Sequence, residues 1–140
     1  MAISASKIFT KYLKHKLYRT HLKPIANGYF ISVDGDVYSN KQHPYHNLKG
    51  EMLFVKPKKQ KDRKYLLAGL YTDPFNKRKK YWYRIHRLVW EKFVGPIPDG
   101  YVIHHRDNDP TNNALWNLDC ITQKQNVNEY YKYINKKLAR

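Results

Sequence analysis

Apolar and polar positions alternate between two rhythms along this chain. Over Ser4 to Leu17, Ile8, Phe9, Tyr12, Leu13 and Leu17 recur at helical spacing while Lys7, Lys11 and Lys14 fall off the stripe, which predicts an amphipathic helix. Pro24 ends whatever remains of it. "YFISVDGDVYSN" changes to a period of two and predicts a hairpin, Tyr29 to Val33 and Asp36 to Ser39, turned through Asp34-Gly35. The polar loop "KQHPYHNLKG" leads to a strand, "MLFV", and then to "KPKKQKDRK", so charged that it predicts a solvated turn. "YLLAGLY" and "YWYRI" predict a second antiparallel pair within Leu66 to Ile85, turned through "DPFNKRKK". "HRLVWEKFVG" predicts a short helix stopped at Gly95-Pro96, "YVIHH" a strand, and "ITQKQNVNEYYKYINKKLAR" a basic helix capped by Thr122. These elements predict an α+β fold.

Composition narrows the class of partner. Lys+Arg 27 against Asp+Glu 11 gives a formal charge of +16, spread along 140 residues, so a polyanion is expected. No apolar run approaches the roughly 20 residues of a membrane span, and no signal-peptide core is present, which predicts a soluble, cytoplasmic protein with no membrane partner. The single cysteine, Cys120, excludes an internal disulfide framework and cysteine-rich zinc sites. Thirteen tyrosines and three tryptophans interleave with the lysines. Rings among cations suit nucleic acid, although most of these rings are expected in the core. The two basic turns, Lys56, Lys58, Lys59, Lys61 and Arg63 in one and Lys77, Arg78, Lys79 and Lys80 in the other, either clamp a phosphate backbone or are ordinary solvated tips.

The candidate chemistry lies in "VIHHRDNDPTNNALWNLDCITQKQN". His104 and His105 are adjacent, so on a strand they face opposite ways and are expected to have different roles. A strand end, a polar loop and a helix start folding back as β, β, α would gather His104, His105, Asn117 and Asn126 in one cleft. Asn117 follows His105 by twelve positions and Asn126 follows Asn117 by nine. With Thr111-Asn112-Asn113, Asn117-Leu118, and the preceding His86-Arg87-Leu88-Val89 and Phe93, this stretch resembles the HNH endonucleases with a ββα-metal core, particularly the homing-endonuclease branch of phages and introns. The resemblance runs from about Arg84 to Asn128. A second resemblance, through Tyr29, Ile31, Ser32, Gly35, Val37 and Ser39, is to the small module that often precedes that core. The implied organisation is a DNA-binding module of helix plus hairpin over 1–60 and an HNH nuclease domain over 61–140.

What the resemblance implies agrees with what phosphodiester hydrolysis needs, namely a deprotonated water, charge stabilisation at the phosphate and help for the departing oxygen. His105 is the expected general base, with Asn117 expected to hold its ring by a hydrogen bond. His104 and Asn126 are the expected ligands of a divalent metal, Mg²⁺ or Mn²⁺, completed by phosphate and water. The family often has aspartate where His104 stands, and an imidazole there moves the preference toward softer ions. His86 is expected to pack or to bond a phosphate, and Arg87 to contact DNA. Asn112 and Asn113 read as turn formers, Asp107 and Asp109 as turn residues with metal ligation the alternative, and His43 and His46 as loop residues.

The expected function is metal-dependent cleavage of duplex DNA by an enzyme of homing type, with a monomer favoured and a phage origin acting in the host cell implied by the branch. A nonspecific nuclease, an inactive DNA-binding protein and an RNA-binding aromatic-basic module are the alternatives. Single-stranded RNA competing with duplex DNA at equal salt would favour the last.

Overall fold

The computed structural model describes residues 22–40 and 52–139. The helix expected over Ser4 to Leu17 and the loop carrying His43 and His46 lie outside them. Strand β1 (Lys23–Ala26) and β2 (Tyr29–Ile31) are joined through Asn27 and Gly28, both with positive φ (46° and 78°), the backbone a two-residue hairpin of matching twist requires. Pro24 therefore sits in a strand paired with Phe30, on the edge of a sheet where its missing N–H costs nothing. The expected hairpin of β2 with β3 (Val37–Ser39) forms with Phe30 opposite Tyr38, and β4 (Leu53–Phe54) completes a sheet in sequential order. At the β2–β3 tip, Gly35 has φ 87° and its N–H donates to the Ser32 carbonyl at 3.0 Å.

The second sheet runs β5 (Lys58–Lys59), β6 (Leu66–Leu70), β7 (Tyr81–Arg84). The charged run expected to be a plain solvated turn thus contributes a short strand, with Lys58 opposite Leu67 and Lys59 opposite Leu66. Lysines suit that position, because β5 is an edge that charge protects from further pairing. In this antiparallel arrangement the β5–β6 and β6–β7 turns lie at opposite ends of β6.

Helix α1 (Ile85–Phe93) follows β7 directly and buries Ile85, His86, Leu88 and Val89. The chain then forms a β-β-α unit, with β8 (Tyr101–His105) paired to β9 (Leu118–Thr122) and followed by α2 (Gln123–Leu138). Thr122 caps α2 as expected, its hydroxyl accepting from Gln125 N–H at 3.2 Å while the Gln125 side chain accepts from Thr122 N–H at 2.9 Å.

One core joins these units. Tyr29, Ile31 and Val37 pack in the same cluster as Ala68, Leu70, Ile85, Leu88, Val89, Ile103 and Leu118, so residues on both sides of position 60 share it. Burying each of the larger aliphatic side chains contributes about 1.5–3 kcal/mol. Among the described residues, no helix is long and apolar enough to cross a membrane.

Candidate active site

β8 delivers the two histidines to the rim of the β-β-α unit. His105 is buried and His104 half-buried, as opposite faces of a strand require. The backbone turns immediately afterwards: Asn108 N–H donates to the His105 carbonyl at 3.0 Å and Asn108 itself has φ 58°. Both histidines consequently border one cleft of about 200 Å³, together with Arg63, Tyr65, Asn108 and Asn126. Asn126 reaches it from the first turns of α2. His104, His105 and Asn126 are thus brought together as expected from their spacing.

Asn117 is not at the ring of His105. The His105 Nε2 atom instead lies 2.9 Å from Asn113 Oδ1, with both side chains buried. An amide oxygen only accepts, so the neutral ring carries its proton on Nε2 and keeps a lone pair on Nδ1. Asn117, 0% exposed, braces the loop: its Nδ2 donates to Asp107 Oδ1 and to the Asn112 carbonyl, each at 2.9 Å, and its Oδ1 accepts from Asp107 N–H at 3.1 Å. The reason lies in the register, which sets His105 opposite Leu118 and so places Asn117 beside Arg106 and Asp107, beyond the strand end.

Asn113 is held in turn by the first sheet. A Cβ on Gly35 would lie 2.9 Å from Asn113 Cβ, so only glycine allows the β2–β3 tip this close. Leu115 N–H donates to the Val33 carbonyl at 2.9 Å and ties the same loop to the same hairpin. Sequence reasoning read Asn113 as a turn former because its partner is fixed by tertiary folding.

His86 is 4% exposed, with its ring centre 5.0 Å from that of His105 and 4.9 Å from that of Tyr65. Buried in this way it packs and does not reach a phosphate. Burial, with help from the nearby His105, Arg84 and Arg87, lowers its pKa to about 3. Burial also lowers the pKa of His105, opposed by the Asn113 hydrogen bond and by Asp107 and Asp109. Both rings are therefore neutral near pH 7, the state a proton acceptor needs.

The loop acids are committed. Asp107 accepts from Asn112, Asn117 and the Asp109 N–H, and Asp109 from Thr111, as expected of turn residues. Asp119 forms a two-point ion pair with Arg106, at 2.8 and 2.6 Å. Among the described residues, no group of three or more His, Cys, Asp and Glu side chains is arranged to hold a metal. What the cleft offers is the imidazole of His104 and the amide of Asn126, neither engaged in a hydrogen bond within the described chain. One nitrogen, one amide oxygen and open space fit a divalent ion whose remaining positions are filled from outside the protein.

Of the expected DNA contacts, Lys56, Lys58, Lys59, Lys61, Arg63, Lys77, Arg78, Lys79, Lys80 and Arg87 are all exposed. Arg63 alone of them borders the cleft. Lys58 and Lys80 converge on the Trp82 ring, with their ammonium groups 5.2 and 5.4 Å from its centre.

Residues 83–128, which include both strands of the β-β-α unit, the two histidines and Asn126, match the model of the HNH endonuclease family: this segment is an HNH endonuclease domain. Among individual proteins, the HNH endonuclease L245 of Acanthamoeba polyphaga mimivirus is 35% identical over 107 residues, covering 76% of this chain and 28% of that protein. Protein 3.8 of Escherichia phage T7 is 51% identical over 43 residues, 31% of this chain and 36% of its own length. The solved structure of the HNH homing endonuclease I-HmuI, which concerns its DNA binding and cleavage, superposes with a TM-score of 0.59 at 30% identity, over 76% of this chain and 53% of that one. The chain spans well under two thirds of each of these proteins.

Proposed function

We propose that the protein is a metal-dependent DNA endonuclease of homing type that hydrolyses phosphodiester bonds in duplex DNA. The observation that carries this reading is the convergence of His104, His105 and Asn126 on one cleft beside exposed cationic surface. His105, with Nε2–H donated to Asn113, accepts on Nδ1 a proton from the attacking water. The phosphorus–oxygen bond to the 3′ side then breaks as the water oxygen bonds to phosphorus. Asn117 keeps the loop between the two strands in shape. His104 and Asn126 would hold a divalent ion, Mg²⁺ or Mn²⁺, which when bound supplies charge stabilisation at the phosphate and the departing oxygen. Lys58, Lys59, Lys80 and their neighbours would contact the DNA backbone. The viral and phage relatives support a phage-type enzyme acting in the host cytoplasm, and a monomer suffices for the single site.

Supercoiled plasmid incubated with a series of divalent metals tests this reading, because nicked and linear products separate the modes of cleavage. His105→Ala is expected to abolish cleavage while duplex binding survives. Equal loss of binding and cleavage would overturn the assignment of His105 as base.

A further inference from the structure

A second groove, of about 390 Å³, runs on from the cleft along α2 and is lined by Asn108, Glu129, Lys132, Tyr133, Lys136 and Lys137. Asn108 borders both depressions, so the two adjoin at that residue. The helix links them as well: Asn126 in the cleft and Glu129, Tyr133, Lys136 and Lys137 in the groove follow one another at offsets of three, seven, ten and eleven, along one stripe. Its charge is unbalanced. Glu129 is taken up by Lys132 at 3.2 Å, Lys137 lies 5.7 Å over the Tyr133 ring, and Lys136 has no ion pair among the described residues. Two cations are left facing a trough with one end at the candidate active site.

Taking the nuclease reading as its basis, we infer that this groove is a backbone subsite, which seats phosphates of the cleaved DNA strand on one side of the scissile bond. The register follows from helix geometry. Lys132 to Lys137 lie six to eleven residues beyond Asn126, or about 9–16 Å at 1.5 Å per residue. With α2 running along the duplex axis, on which the phosphates of one strand are about 3.4 Å apart, the seated phosphates are about three to five removed from the cut. A chain of phosphates matches a cationic trough adjoining the cleft, and Tyr133 gives the sugar edge an apolar floor.

The test uses the full chain with uncleavable and cleavable duplex. Lys136→Ala/Lys137→Ala is expected to weaken duplex binding about tenfold near 0.1 M salt and to lower the log–log salt slope by about 1.8, two phosphate contacts at about 0.9 each. In cleavage the loss should fall on KM, with kcat held within about twofold. Glu129→Gln, which releases Lys132, is expected to tighten binding. Neutral methylphosphonate placed three to five positions from the cut on one side should weaken wild-type binding but leave the double variant unaffected, while placement on the other side should weaken both alike. An unchanged salt slope in the double variant, or a methylphosphonate effect that persists in the double variant on whichever side it is placed, would overturn the subsite. The slope is read on uncleavable duplex, so it judges the groove even if the wild-type chain proved unable to cut, an outcome that would defeat the nuclease reading instead.

Discussion

His105 and Asn113 are joined through buried side chains, Nε2 to Oδ1 at 2.9 Å, across a loop that separates them by eight positions. The bond has two effects of opposite sign. It fixes the tautomer that leaves a lone pair on Nδ1, and it raises the ring pKa against the lowering caused by burial.

Asn113→Ala should therefore slow cleavage by about 10–100-fold, the usual cost of losing a partner that orients a functional histidine. At the same time the acidic limb of kcat/KM, expected below the ordinary histidine value of about 6.5 in the wild type, should move further toward acid. A slower variant whose limb moves toward alkaline pH would show that Asn113 does not bond the ring.

In the proposed metal site neither protein ligand is a carboxylate, since His104 and Asn126 offer an imidazole and an amide. Calorimetry should find weak metal binding to the free protein and a gain of at least about tenfold with uncleavable DNA, which brings the missing anionic oxygens. Mn²⁺ should support faster cleavage than Mg²⁺, and His104→Asp should reverse that order. Full activity in His104→Ala would place the metal elsewhere.

His86 predicts acid lability. Its folded pKa is depressed to about 3 from an unfolded value near 6.5, so below pH 6.5 the unfolded chain takes up a proton that the folded chain refuses. The associated stability is fully present above pH 6.5 and is lost as the pH falls toward 3, amounting to about 2 kcal/mol by pH 5. Urea unfolding at a series of pH values should show this slope, with His105 adding in the same direction, and His86→Leu should flatten it. A slope unchanged by that substitution would assign the lability to other groups.

Trp82 lies opposite Gly69 in the β6–β7 register, where a Cβ on Gly69 would come 2.8 Å from the indole. The missing side chain lets the ring lie across the sheet under Lys58 and Lys80. Trp82→Ala and Gly69→Ala should each weaken duplex binding by about three- to tenfold with little change in salt slope, since the charges remain. Lys58→Ala/Lys80→Ala should lower the slope by about 1.8. Unaltered affinity in Trp82→Ala would mean that the ring does not organise these lysines for DNA.

Much of the site was legible because its spacing records a β-ladder. The twelve residues from His105 to Asn117 are the loop between β8 and β9, and the nine to Asn126 are the return strand and the capped start of α2. The role of Asn113 was not legible, since nothing local distinguishes it from Asn112. Elsewhere the sequence held signals that competed. Asn27-Gly28 marks the β1–β2 turn, but Pro24 argued for a break, and an edge strand accommodates both. At Lys58–Lys59, charge density argued for solvent, and pairing to the half-buried β6 prevailed. Tyr29 and Tyr38 are buried as expected of aromatics, whereas Trp82, Tyr130 and Tyr131 are exposed.

Gly35 bears on how such a protein can be recombined. The hairpin tip touches Asn113, the partner of the His105 ring, and Val33 is bonded to Leu115 across the same joint. A chimera cut near position 60 would graft a foreign hairpin onto this loop and disturb the bond to the His105 ring, some seventy residues away in sequence. A workable seam has to keep Val33 and Leu115 from the same parent, so that the hairpin and the β8–β9 loop are inherited together.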